Sequence, residues 1–370
     1  MEEIEYPFDE NLREEELNSS FEEDDAELPP SDIVAYNELR SCADIKRMKE
    51  NNQLVIDPDF QREFVWNKAN QTRFIDSLIK QLPIPSMCIS YDFNTDQRLV
   101  IDGLQRISTI LEFLTNDAYI LSNLEDVDPK IAGKSVYDIK VKAGNLYQRV
   151  ENLTIPITVL RCDTTKQSHM NYLFTIFHRL NSGGSKLNNQ EIRNCIYNGK
   201  FNTFLKGTVK YPTYIRLMGI EADKSYRFAF EEQNLRFFAF YDNLENYTGK
   251  LAKFLNEYMF SKEKKKEKIS DKEIESKKQL FEKTIDLTYE KILGKKDLTG
   301  VSKAVIDALF VAIAKNIDYI ENLSPNESLN LYKKLRNDDL FSIDRLKEGI
   351  AQKGRVQARI NRAIEIFSGN

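Results

Sequence analysis

Apolar positions along this 370-residue chain recur at two spacings, and the switch between them marks its elements. Leu99, Val100 and Ile101 form a short β-prone run closed by Asp102-Gly103, after which Ile107, Ile110, Leu111 and Leu114 recur at helical spacing. The pattern predicts a strand, a tight turn and a helix over 98–115. Upstream, a helix is expected over 36–51, with Leu39, Ile45 and Met48 inward, then a strand over 54–56 and a turn at Asp57-Pro58. After the polar-aromatic stretch 61–66, Asn67 is placed to cap a helix through Gln81, whose stripe is Phe74, Ile75, Leu78 and Ile79 and which Pro83 stops. Segments 86–91 and 97–101 pair as a hairpin.

The signal weakens over 116–153, and 155–161 is again β-rich. Residues 167–180 form an amphipathic helix through Met170, Leu173, Phe174 and Phe177. Gly183 is placed to end it, and Asn188 with Glu191 stands at capping-box spacing for the next. From Phe201 the pattern is helical almost throughout, including an apolar stretch over 301–314 and a closing helix over 355–367. Phe228, Phe230, Phe237, Phe238, Phe240 and Tyr241 read as a buried helix core rather than a base-stacking surface. The expected architecture is α+β: a mixed domain over 31–200, then an all-helical domain over 201–370.

Charge adds a third segment. Residues 1–30 hold thirteen acids against Arg13 alone, so a net −5 chain divides into a −12 segment and a +7 body. Such a block reads as a disordered, solvating tail, with a cover over a basic nucleic-acid groove as the sharper alternative. Lys262 to Lys278 reads as a solvated helix face. There is no eighteen-residue apolar run and no signal-peptide pattern, and Cys42, Cys88, Cys162 and Cys195 lack paired or metal-type spacing. A cytoplasmic protein with reduced thiols is expected. With only His169 and His178, the chain has no room for a His-rich nuclease centre.

The chemistry centres on the turn at 102–106. The first N–H groups of a helix lack intrahelical partners and sit at the positive end of its dipole, and Gly103 lets a ligand approach the backbone. Arg106, in the first turn, reaches back toward the same point. Phosphate is the natural guest. Phosphoryl hydrolysis needs charge stabilisation and a positioned water, so Asp102 is a candidate to hold a metal ion or orient water. The plainer readings are that Asp102 caps the helix and Arg106 makes a surface ion pair. Asn181, Gly183 and Gly184, with Ser182 and Ser185, offer a backbone nest for a second anion contact. Gly133-Lys134-Ser135 is a decoy: the first glycine of a P-loop falls at Asp128. Glu191 and Arg193 read as helix-start electrostatics, and His178 as structural.

Five ordered stretches, FQREFVW (60–66), LPIPS (82–86), IDGLQRIST (101–109), FHRLNSGGSKLNNQEIRNCIY (177–197) and LRFFAFY (235–241), together resemble the N-terminal domain family of GmrSD-type, modification-dependent restriction systems. They are also similar to the wider ParB/sulfiredoxin-like group, in which a DGQQR-type turn contacts nucleotide phosphates. The resemblance implies a ParB/sulfiredoxin-like nucleotide-binding domain serving bacterial anti-phage defence. It would handle GTP or ATP with Mg2+, in company with DNA, a separate nuclease subunit and other copies of the chain. Carried over, Asp102, Gly103, Gln105 and Arg106 make the signature, with Ser108 and Thr109 following on the helix and Gln61 and Arg62 near the phosphates. Leu104 stands where the signature commonly has glutamine, and the His-dependent nuclease domain that often follows is not expected here. The expected function is a nucleotide-binding, NTP-hydrolysing component of a restriction system. A non-catalytic DNA-sensing or adaptor module is the rival, and a toxin-like phosphotransfer or nuclease activity a third reading.

Overall fold

The computed structural model describes residues 29–56, 66–180, 187–222, 224, 226–264, 268–347 and 349–369. The acidic segment up to residue 28, with Gln61, Arg62, Asn181, Gly183 and Gly184, lies outside the described residues. The chain divides into two compact units, Glu27–Asn188 and a second that holds Asn189–Asn370. No described helix is long and apolar enough to cross a membrane.

The first unit is α+β. Its elements in order are β1 (Val34–Ser41), α1 (Cys42–Glu50), β2 (Leu54–Val55), α2 (Lys68–Ile79), β3 (Met87–Asp92), β4 (Gln97–Asp102), α3 (Leu104–Thr115), α4 (Val136–Lys142), α5 (Gly144–Asn152), β5 (Thr154–Cys162) and α6 (Gln167–Leu180). The strands form one mixed sheet in the order β1-β5-β3-β4-β2, with β3 parallel to β5 and antiparallel to β4. Alternation along the strands gives Leu54, Ile89, Val100, Ile155, Ile157 and Val159 one common apolar cluster with Ile45, Ile75, Ile107 and Val150 from the helices. Each such side chain contributes roughly 1.5–3 kcal/mol on burial, which fixes the sheet against the helices that carry the site.

The helix expected over 36–51 is corrected. Its first part is β1, paired antiparallel to β5 from Val34 opposite Arg161 to Ser41 opposite Thr154. The helix starts only after Ser41, which caps it in a reciprocal capping box with Asp44. Ile45 and Met48 are buried as expected, but Leu39 is 68% exposed on the edge strand. The partner that makes 34–41 extended lies some 120 residues away, beyond the reach of local periodicity. The other expectations here hold more closely: Asn67 caps α2 through Asn70 N–H, and the β3–β4 hairpin forms. Ser135 of the P-loop decoy is an N-cap, accepting from Asp138 N–H.

The second unit is helical among the described residues: α7 (Asn189–Ile196), α8 (Lys200–Thr208), α9 (Pro212–Met218), α10 (Ala229–Asn243), α11 (Leu251–Glu263), α12 (Asp271–Asp286), α13 (Lys303–Lys315), α14 (Ile317–Glu321), α15 (Pro325–Asn337), α16 (Ile343–Lys347) and α17 (Lys353–Phe367). Helix α13 is buried from Ala304 to Ala314, and Phe237, Phe238 and Phe240 of α10 are core residues. Helix α7 falls in this unit, whereas the sequence placed it in the first domain. The reason is ionic: Glu191 is clamped by Arg227, and Arg193 meets Glu232 of α10 at 3.1 Å and Asn256 of α11 at 2.8 Å.

Candidate functional site

The site is built where β4 ends. Gly103 follows Asp102 in the left-handed region, with φ 93°. A Cβ there would lie 2.6 Å from Met87 Cγ, so both backbone and packing call for glycine. Helix α3 is anchored by Ile107, Ile110, Phe113 and Leu114, each almost fully buried. Its first intrahelical bond runs from Ile107 N–H to Gly103 carbonyl at 2.9 Å. The N–H groups of residues 104–106 precede that bond and form the mouth of the helix.

Asp102 and Arg106 meet at this mouth. Arg106 Nη2 donates to Asp102 Oδ2 at 2.8 Å, and its Nη1 donates to Pro85 carbonyl at 2.5 Å and, more distantly, to Ser86 carbonyl at 3.5 Å. Asp102 therefore does not cap α3; Gly103 holds that position without a side-chain bond. A cation at a helix N-terminus opposes the dipole, and Asp102 supplies the compensating anion from within the chain. The pair is partly open, with the arginine side chain 14% and the aspartate 36% exposed. A phosphate at the mouth would compete with Asp102 for the same guanidinium.

The other expected site residues separate into groups. Gln105 Oε1 accepts from Trp66 N–H at 2.8 Å, holding the entry to α2 against the start of α3. Ser108 is half-buried, one turn on from the mouth. Thr109 is buried, and its hydroxyl donates to Gln105 carbonyl at 2.7 Å, so it faces the core rather than the mouth. Gln61, Arg62 and the nest at Asn181, Gly183 and Gly184 fall outside the described residues.

What surrounds Arg106 was not legible beforehand. Ser86 Oγ lies 3.2 Å from Thr158 Oγ1, which donates to Asn37 Oδ1 at 2.9 Å, giving a polar file across β3, β5 and β1. Cys88 stands opposite Asp102 at a register shift in the β3–β4 ladder. Burial, reinforced by the Asp102 charge, pushes its thiol up to about 12, so it stays protonated and unreactive.

Among the described residues there is no cluster of three or more His, Cys, Asp or Glu side chains placed to hold a metal ion. Asp102 by itself matches the way Mg2+ is commonly held, through one or two carboxylates completed by substrate phosphates and water. The mouth thus offers backbone donors, one guanidinium and one carboxylate. It is suited to binding a phosphate, and no second acid stands beside it as a general base among the bonds described.

His178 is half-buried on α6. His169 is buried, with Nδ1 accepting from Asp163 N–H at 2.9 Å and Nε2 lying 2.8 Å from Asp32 Oδ1. Lys166 also bonds Asp32, so the chain two residues before β1 is tied to the start of α6. The two bonds together, Lys166 first, hold the Asp32 carboxyl down to about 2.

No curated protein and no solved structure matches the chain. Residues 43–198 match the family model described as GmrSD restriction endonuclease, N-terminal domain, a segment that contains β4, Gly103 and α3 and reaches to the end of α7. The segment 43–198 belongs to the GmrSD restriction endonuclease N-terminal domain family.

Proposed function

We propose that the chain is a nucleotide-binding, NTP-hydrolysing component of a DNA restriction or anti-phage defence system, acting in the cytoplasm with a separate nuclease. The family match over 43–198 supports the defence setting. The observation that carries the nucleotide reading is the strand, left-handed glycine and helix mouth at 102–106, with Arg106 beside uncommitted N–H groups. We take its fold to be ParB/sulfiredoxin-like.

In this reading the N–H groups of 104–106 and Arg106 bind the terminal phosphates of GTP or ATP. Arg106 then leaves Asp102 for the incoming phosphate oxygens, and the freed Asp102 carboxylate orients the attacking water; it is also the residue that would help hold Mg2+. Bound Mg2+ would supply neutralisation of phosphate charge. Water adds to the γ-phosphorus, the bond to the β–γ bridging oxygen breaks, and nucleoside diphosphate and inorganic phosphate leave. Arg106 stays with the phosphoryl oxygens throughout, where its charge counts most.

The test is phosphate release from each NTP, with and without DNA, comparing wild type with Arg106→Ala. Release that depends on Arg106 is the expected result; a folded protein that neither binds nor turns over any NTP overturns it. The Asp102–Arg106 pairing favours one second reading, a non-catalytic DNA-sensing adaptor, since the arginine already has an anionic partner. Salt-dependent DNA binding that persists in Arg106→Ala without turnover selects that reading.

A further inference from the structure

We infer, resting on the nucleotide reading of the 102–106 mouth, that the ribose of that nucleotide is held on the open face of the sheet, with Thr158 and Asn37 as its hydrogen-bonding partners and Ser86 at the near end. Backbone register places the residues. Cys88 stands opposite Asp102 on one side and opposite Thr158 on the other, and Thr158 stands opposite Asn37. Asp102, Cys88, Thr158 and Asn37 form one row across β4, β3, β5 and β1, and side chains directly opposite one another share a face. Neighbouring strands lie about 4.8 Å apart, so Thr158 is about 10 Å from Asp102 and Asn37 about 14 Å. That separation suits a polyphosphate arm held at Arg106 with a sugar beyond it.

The row is open where the rest of the face is covered. Ser86 and Asn37 are exposed and Thr158 is half-buried, whereas Ser90 and Leu160, two residues further along the same face, are 4% and 6% exposed. Beyond Asp102 its chemistry is neutral. The Thr158 hydroxyl donates to Asn37 Oδ1 at 2.9 Å, so the Ser86 hydrogen goes to Thr158 Oγ1 or to Met87 carbonyl, each 3.2 Å away. Both hydroxyl oxygens keep lone pairs with which to accept. Asn37 Nδ2, which makes no bond among the described residues, keeps its hydrogens to donate. Adjacent sugar hydroxyls each donate and accept, and this set answers both. A phosphate, which only accepts, would leave the two hydroxyl oxygens facing its own. Beside the row, Leu39 stands opposite Pro156 and is 68% exposed, so apolar surface adjoins the polar file. A nucleoside has the same two parts side by side, a hydroxyl-bearing sugar and a flat base.

The experiment uses the full chain and calorimetry with inorganic pyrophosphate, with GDP and ADP, and with the dideoxy forms of both, which lack the two ribose hydroxyls. Diphosphates serve because the proposed hydrolysis leaves them intact. The wild type is expected to bind the ribose form about tenfold more tightly than the dideoxy form of the same base, the worth of one or two hydrogen bonds. In the double variant Thr158→Val, Asn37→Ala that ratio is expected to fall to about two or less. Ser86→Ala, at an exposed position outside the core, is expected to lower it part of the way. The ratio, unlike an affinity, does not move when a variant merely weakens the fold. Equal binding of ribose and dideoxy forms by the wild type, with pyrophosphate binding that is lost in Arg106→Ala, overturns the sugar site and leaves the nucleotide reading standing. An undiminished ratio in both variants does the same. No binding of pyrophosphate or of either nucleotide by the wild type overturns the two together.

Discussion

The same chemical pair, an arginine and a carboxylate, is used in opposite ways in the two units. In the first, Arg106 and Asp102 sit at an open helix mouth beside N–H groups that precede the first intrahelical bond. In the second, Arg193 and Glu232 are buried among helices, and Gln190, Asn256 and the Ala252 carbonyl also accept from the arginine. Arg236 and Asp307 repeat the buried form. A partly exposed pair contributes little to stability, so its partner is exchangeable and a phosphate can take the carboxylate's place. A buried pair is costly to assemble and far costlier to halve, so it locks packing and is unsuited to exchange.

That contrast breaks or sharpens under substitution. The largest effect is expected from Glu232→Ala, which takes a buried carboxylate away from the buried Arg193 guanidinium. It should cost about 3–5 kcal/mol in urea unfolding, and a loss under about 1 kcal/mol would remove the distinction between the two pairs. Next comes Gly103→Ala, which places a side chain at positive φ and against Met87. Its expected cost is about 1–3 kcal/mol, seen as a lowered Tm, and an unchanged Tm would show that the turn relaxes freely.

Arg106→Ala is expected to leave stability within about 1 kcal/mol, as for other partly exposed pairs. Phosphate release should nevertheless fall about 100-fold or more. Proportionate loss of stability and activity would instead mark Arg106 as structural. The smallest effect concerns acid. Asp32 is held down to about 2 by Lys166 and then His169, against an ordinary value of 3.8. A depressed carboxylate contributes stability that is complete above its unfolded value and is lost as pH falls through the folded one. Stability should therefore decline between about pH 4 and pH 2 through this group, and Asp32→Asn should flatten that part of the profile. An identical acid profile in the variant would show that the tie to α6 carries no stability.

How far the chain could be read in advance follows from the range of the interactions. Helix α2 with its Asn67 cap, the β3–β4 hairpin, the Gly103 turn and the Arg106 helix all rest on neighbours within a few residues, and all were legible. Strand β1 was not, because its extended form depends on β5. Nor were the ties of Glu191 to Arg227 and Arg193 to Glu232, which join segments some 36 and 39 residues apart. At the site, residue types marked the turn, but Asp102 read as a possible cap and proved to be Arg106's partner, while Thr109 turned out to face the core.

The sequence by itself determined the local devices: where helices start, where glycine must stand, which faces are apolar, and that a strand, turn and helix would present Arg106 at a positive mouth. It did so because capping, periodicity and φ preference act over one or two turns of chain. Only the tertiary structure decided which charges pair and how deeply. Pairing needs two segments brought together, and the worth of an ion pair is set by the solvent that packing removes around it. The same residue types therefore make an exchangeable contact at 102–106 and a locked one at Arg193.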